Sequence, residues 1–246
     1  MSLAGDIRRS LIRLGYPVVS AYYRAHKGNC PVSVLKFLGV AHPSYRRYFY
    51  TLDRITRSVA SIGGLIAECG VYRGETLLGI AHLLREICGP GFRLIGFDSF
   101  EGFPEPDWQD ALPDGSFHRR ALKGVFSDTS DRELRRRIHA LGFEDQITLA
   151  KGYFENTLPA WKDKTFALVH LDCDLYQSYI TCLNFFYPRV RPGGYIVFDE
   201  YDFIADVYPG AQKAIDSFLA DKPEKIQVFE ESSRPPYQPR YFIIKQ

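Results

Sequence analysis

The sequence predicts an α/β fold around a mostly parallel sheet, and three observations carry that reading. Short apolar runs such as Leu65–Ala67, Leu94–Phe97, Phe166–Leu171 and Tyr195–Phe198 lack polar alternation, as strands buried on both faces do. Helical patterns lie between the runs. Each run ends in acid: Glu68, Asp98, Asp172, and the pair Asp199 and Glu200. Ligands of such sheets bind beyond the carboxyl ends of the strands, so these acids mark the candidate site.

The chain has 246 residues, 46% of them hydrophobic, enough for one well-filled α/β domain and an extra segment. We divide it into an N-terminal helical segment, 1–62, and a main domain, 63–246. A net charge of +2 argues against nucleic acid as a partner. The five cysteines, Cys30, Cys69, Cys88, Cys173 and Cys182, have no CxxC spacing and read as reduced small hydrophobes. No apolar run reaches the ~18 residues of a membrane span. With Asp6, Arg8 and Arg9 early, the N-terminus lacks a signal-peptide layout, so a cytoplasmic location is expected.

In residues 1–62, basic helical pieces are rich in aromatics. Leu52, Ile55 and Val59 recur at helical spacing and are expected to dock on the sheet. The part before them reads most simply as packing; a lid, a homo-oligomer contact and a membrane-surface helix are the other readings.

Residues 65–76 form a strand, a glycine-bearing loop and the start of a helix through Leu77 to Ile87. Gly70 and Gly74 would let a ligand approach the backbone, and the helix N-terminus favours an anion. The spacing is not the GxGxxG dinucleotide fingerprint, and Glu68 at the mouth would repel a pyrophosphate. An acid there suits a ligand with both an ammonium and a carboxylate, the groups at the methionyl end of S-adenosylmethionine (AdoMet). The alternative is a generic strand-to-helix turn. Asp98 ends the second strand, where two carboxylate oxygens suit a ribose diol.

Residues 104–130 are irregular, with Pro104, Pro106, Pro113, Trp108 and His118. An insertion this long is more often functional than accidental, and we read it as an acceptor-side loop. A helix over 130–141 and a strand over 146–150 follow. Beyond that strand, Gly152 and Tyr153 are placed to flank an adenine or to make a tight turn.

The stretch 165–202 reads as strand, helix (175–190), strand, and the crossover rule makes the two strands parallel. Asp172 and Asp199 would sit side by side, and Glu200 would join them if its strand ends and bends there. Three carboxylates without a neighbouring Cys or His ligand form a hard oxygen site for Mg²⁺, and more permissively for Mn²⁺ or Ca²⁺. Cys173 would have to point away. Asp174, with Gln177 three residues on, fits a capping box that opens the helix. An amphipathic helix over 209–221 and strands at 225–229 and 240–244 close the chain.

Together, Glu68-Cys-Gly-Val-Tyr-Arg-Gly, Asp98-Ser-Phe-Glu-Gly, Lys151-Gly-Tyr-Phe with Thr157-Leu-Pro, His170-Leu-Asp-Cys-Asp-Leu-Tyr, Pro192-Gly-Gly-Tyr and Asp199-Glu-Tyr resemble the macrocin O-methyltransferase family over about residues 63–222. The resemblance implies a class I methyltransferase (Rossmann-like) fold with a seven-stranded sheet. It also implies AdoMet and Mg²⁺ as cofactors and a sugar hydroxyl, often on a natural product, as acceptor. Glu68, Gly70, Tyr72, Gly74, Asp98, Ser99, Gly152, Tyr153 and Asp172 are then the expected AdoMet contacts. Asp172, Asp199 and Glu200 are the expected metal ligands, although the family more usually has Asp at the last position. His118 in the acceptor loop is the expected base, acting with Asp172. A catechol-like ring or a glycan precursor is an alternative acceptor. An NAD-linked oxidoreductase and a non-catalytic AdoMet-binding protein are the competing classes.

Overall fold

The computed structural model describes residues 46–202, 206–229 and 239–246. The expected lid or oligomer contact in residues 1–45, and Cys30 with it, lie outside them.

Helix α1 (Arg46–Val59) precedes β1 (Leu65–Cys69), α2 (Glu75–Cys88) and β2 (Leu94–Asp98). After a long loop come α3 (Asp131–Ala140), β3 (Ile147–Lys151) and the single turn α4 (Phe154–Thr157). Then follow β4 (Phe166–Leu171), α5 (Tyr176–Phe186), β5 (Val190–Phe198), α6 (Pro209–Leu219), β6 (Gln227–Val228) and β7 (Tyr241–Ile244). The seven strands form one sheet in the order β3-β2-β1-β4-β5-β7-β6. Strands β1 to β5 pair in parallel, and β7 pairs antiparallel with both β5 and β6.

Successive strand residues feed two separate cores, as the period of two requires. Ile66, Leu94, Leu168 and Val197 pack on one face with α1, α2 and α3; Ala67, Ile95, Val169 and Ile196 pack on the other with α5 and α6. The expected stripe Leu52, Ile55 and Val59 is buried in the first core. Cys69, Cys173 and Cys182 are buried free thiols, and Cys173 Sγ lies 3.7 Å from Cys69 O and 3.9 Å from Cys182 Sγ. No helix among the described residues is long and apolar enough to cross a membrane.

This topology places the site. The strand order reverses at β1, whose neighbours are β2 on one side and β4 on the other. The carboxyl ends of β1, β4 and β5 therefore lie next to one another at the switch point, where a crevice opens.

Candidate active site

A cavity of about 430 Å³ occupies that crevice, a size typical of small-molecule sites. Of the residues expected to contact a cofactor, Glu68, Gly70, Tyr72, Asp98, Ser99, Gly152, Tyr153 and Asp172 line it. Gly74 does not. It is the left-handed residue (φ 78°) before α2, and a Cβ there would come within 2.4 Å of Leu134 Cδ1, so packing of α3 rather than a ligand requires glycine. Gly70 is constrained more tightly: at φ 85°, a Cβ would lie 1.7 Å from Asp172 O. Its bareness lets β1 and β4 close up at their tips.

Glu68 is 1% exposed. Its Oε1 lies 3.1 Å from His170 Nδ1, while Oε2 is buried with no hydrogen-bond partner among the described residues. Burial pushes the carboxyl's pKa up, and the His170 contact opposes that. An unpartnered buried carboxylate oxygen on a cavity wall is what an ammonium would satisfy.

Asp98 is used differently from the simple expectation. Oδ2 accepts the N–H groups of Val71 (2.8 Å) and Tyr72 (2.7 Å), and Oδ1 accepts that of Phe100 (2.6 Å). With about four lone-pair positions on a carboxylate, about one remains for a ligand hydroxyl. Asp98 chiefly fixes the loop after β1, including Tyr72 at its positive φ of 49°.

On the other side of the crevice the acids converge. Strand β5 ends at Phe198, and the Asp199 N–H donates to Leu171 O, so Asp172 and Asp199 follow paired strand ends as expected. The chain then bends and Glu200 turns inward, 3% exposed. Carboxylate oxygens of Asp172, Asp174 and Glu200 lie within 4.8 Å of one another, and Asp172 and Asp199 form a second such group with a His170 nitrogen. Burial, with repulsion from Asp199, pushes Asp172 up to about 7. Burial and the neighbouring acids likewise raise Asp174 and Glu200. Asp199 is held low: burial works against ionisation, but Arg240 and His170 outweigh it.

Asp174 corrects one expectation. Its side chain does not cap α5, whose first N–H, that of Tyr176, donates instead to Asp110 Oδ1 at 2.8 Å. A positive φ of 60° turns Asp174 into the cavity, where it is 8% exposed and hydrogen-bonded with Tyr208.

His170 does more than the packing expected of a buried strand residue. Nδ1 faces Glu68 and Nε2 faces Asp199 Oδ1 at 3.4 Å. Burial opposes its protonation, yet the flanking carboxylates of Asp199 and Glu68 push its pKa up to about 10. The signal was present: His170 stands two residues before Asp172, on the same side of β4, and is the register partner of Glu68.

The loop between β2 and α3 is ordered by exchange of hydrogen bonds between Phe103 and Val125 and between Gly124 and Phe103, each 3.0 Å. Phe103 packs edge-on against Phe126 and Tyr208 at the cavity. Trp108 is 74% exposed, whereas Tyr201 stacks on Tyr241 and bonds Asp216. His118 is not a cavity-lining residue. It caps the turn Arg119–Ala121, with Nδ1 accepting the Arg120 N–H at 3.3 Å.

The profile of the macrocin O-methyltransferases (TylF) matches residues 46–228. A 4'-O-methyltransferase of Streptomyces olivaceus acting on 8-demethyl-8-(2,3-dimethoxy-α-L-rhamnosyl)-tetracenomycin C is 30% identical over 141 residues, 57% of this chain and 54% of that protein. Demethyldecarbamoylnovobiocin O-methyltransferase of Streptomyces niveus is 29% identical over 161 residues, 65% of this chain and 60% of that protein. The chain thus spans little more than half the length of these curated relatives. Among solved structures, the calicheamicin methyltransferase CalS11 superposes with a TM-score of 0.67 at 20% identity, covering 99% of this chain and 93% of its own. The O-methyltransferase NovP superposes with a TM-score of 0.63 at 24% identity, covering 80% and 79%. These two likenesses establish the class I O-methyltransferase fold.

Proposed function

The chain belongs to the macrocin O-methyltransferase family, and from that footing we propose that it transfers a methyl group from AdoMet to a hydroxyl of a sugar or a sugar-bearing natural product, with a divalent cation, Mg²⁺ by preference, in the site. The observation that carries the reading is the pairing, within one cavity, of an unpartnered Glu68 oxygen with a group of mutually repelling carboxylates. The first suits the ammonium of AdoMet. The second suits a hard cation, because crowded acids ionise together only when a positive charge offsets them. The first of the relatives above is named for methylating a rhamnosyl-bearing tetracenomycin, which supports the same acceptor class.

When bound, AdoMet supplies an electrophilic methyl on a sulfonium, and the cation draws charge from an oxygen and so eases loss of its proton. Asp172, Asp199 and Glu200 are the proposed cation ligands; Asp174 is near enough to join Asp172 and Glu200, while Asp199 groups with Asp172 and His170. Glu68 orients the amino-acid end of the cofactor. Asp98 holds the loop that frames it, with Ser99, Gly152 and Tyr153 on the nucleoside side.

For the proton acceptor, geometry favours Asp174 over His118. Asp174 lines the cavity beside Asp172 and Glu200, whereas His118 does not line it. The His118 lone pair at Nδ1 is spent on Arg120, so His118 serves as base only where that contact opens. Transfer of a radiolabelled methyl group to a panel of glycosides, with and without chelator, tests the proposal. Label in a glycoside that disappears with chelator supports it; no transfer to any hydroxyl, or transfer indifferent to chelator, refutes the activity or the cation respectively.

A further inference from the structure

Resting on the reading of the acidic pocket as a divalent-cation site, we infer that Tyr179 makes that site selective for a small octahedral ion, Mg²⁺ or Mn²⁺, over Ca²⁺, by leaving Glu200 a single oxygen with which to ligate.

Tyr179, on α5, is fully buried. Its hydroxyl lies 2.8 Å from Glu200 Oε2 and 2.9 Å from Leu171 O. The hydroxyl has one proton, and an ionised carboxylate is the stronger acceptor, so the proton goes to Glu200. The same Oε2 accepts the Asp174 N–H at 3.2 Å. The Glu200 N–H approaches the Tyr179 oxygen at 3.4 Å, which holds the residue by backbone and side chain together. Two donors occupy the two lone pairs of Oε2. The other contact of the Glu200 carboxyl is with the Asp199 carboxyl, an acid and not a fixed donor, so Oε1 is the oxygen left for an ion.

That division matters because the two classes of ion ask different things of a carboxylate. Ca²⁺ reaches about seven oxygens at about 2.4 Å, commonly by taking both oxygens of one glutamate; Mg²⁺ takes about six at about 2.1 Å and one oxygen from each carboxylate suffices. Because Oε2 is held by both Tyr179 and Asp174, two-oxygen ligation by Glu200 would forfeit both hydrogen bonds. Neither donor group, the Tyr179 hydroxyl nor the Asp174 backbone N–H, is itself a ligand. Tyr179 is therefore a positioning residue; it does not line the cavity itself, and it acts on ion choice.

The test is Mn²⁺ binding followed by electron paramagnetic resonance, with Ca²⁺ as competitor, in the full chain and in Tyr179→Phe. The variant keeps the ring beside Phe198 and removes only the hydroxyl. The wild type is expected to prefer Mn²⁺, and the variant to narrow that preference by about tenfold or more, the scale on which partners of metal ligands act. Affinity for S-adenosylhomocysteine, read by calorimetry, is expected to stay unchanged, which a general loss of packing would not allow. If Tyr179→Phe does not fold, Tyr179→Met, which also lacks the hydroxyl and adapts to the space the ring leaves, gives the same comparison. A wild type indifferent between the ions, or a folded variant with an unchanged ratio, overturns the inference and leaves the cation site standing. Failure of both ions to bind the wild type overturns the site itself.

Discussion

His170 Nδ1 lies 3.1 Å from Glu68 Oε1, in a pairing buried from solvent on both sides. The other ring nitrogen faces Asp199. One imidazole thus joins the acid at the tip of β1, on the cofactor side, to the acid after β5, on the proposed cation side. Among the described residues, removing it leaves the buried Glu68 carboxyl without a partner and Asp199 with Arg240 as its only ion pair. His170→Phe is expected to lower stability by about 3–5 kcal/mol, the usual cost of breaking a buried ion pair from one side. Denaturant unfolding measures it, and a loss under 1 kcal/mol would show that the pairing contributes little.

The same residue sets a pH dependence. Its folded pKa, about 10, stands above the ordinary histidine value of about 6.5. A raised pKa stabilises the fold fully below about pH 6.5, and the contribution is lost as pH rises through about 10. With chelator present, wild-type melting temperature is expected to fall over that window, and His170→Gln to show a flatter profile. Parallel profiles would mean that the imidazole is neutral in the folded protein.

Gly70 and Gly115 share a positive φ, 85° and 82°, but differ in surroundings. A Cβ at Gly70 meets Asp172 O at 1.7 Å, whereas one at Gly115 meets nothing within 4 Å. Gly115→Ala is expected to cost about 1 kcal/mol of backbone strain. Gly70→Ala adds displacement of the β4 tip, for a total of about 3 kcal/mol or more, and moves Asp172 with it. Unfolding curves of the two variants decide; equal losses would show that the β1 and β4 tips separate freely.

Glu68→Gln removes the charge but keeps the shape. If the unpartnered Oε2 holds an ammonium, affinity for S-adenosylhomocysteine falls about tenfold to 100-fold, the worth of a charge-assisted hydrogen bond. Calorimetry on the folded variant reads it, and an unchanged affinity would assign the acid to His170 alone.

Asp174→Asn and His118→Ala separate the two candidate bases. Loss of base assistance slows turnover about 100-fold or more. The geometry assigns that loss to Asp174→Asn, with His118→Ala retaining most of its rate. The reverse result in steady-state assays would return the role to His118.

Much of this was legible in the sequence because it is written locally. Apolar runs ending in acid located four strands and their tips, and helical spacing picked out Leu52, Ile55 and Val59, all buried against the sheet. What escaped was non-local. The cap of α5 comes from Asp110, 66 residues before Tyr176, so the nearer Asp174 looked like the cap when its backbone in fact turns it inward. His170 read as packing because its partners lie elsewhere in the chain, on β1 and just after β5. His118 lies only two residues from cavity-lining Arg120, and spacing along a loop cannot say which side chain turns in.

The most direct test of the central claim is an anomalous difference map from crystals grown with Mn²⁺ and S-adenosylhomocysteine. A single strong peak bonded to Asp172 and Glu200, with the amino group of the nucleoside against Glu68, is the predicted result. No peak in the crevice, or a peak held by residues elsewhere while the nucleoside occupies its place, would contradict it.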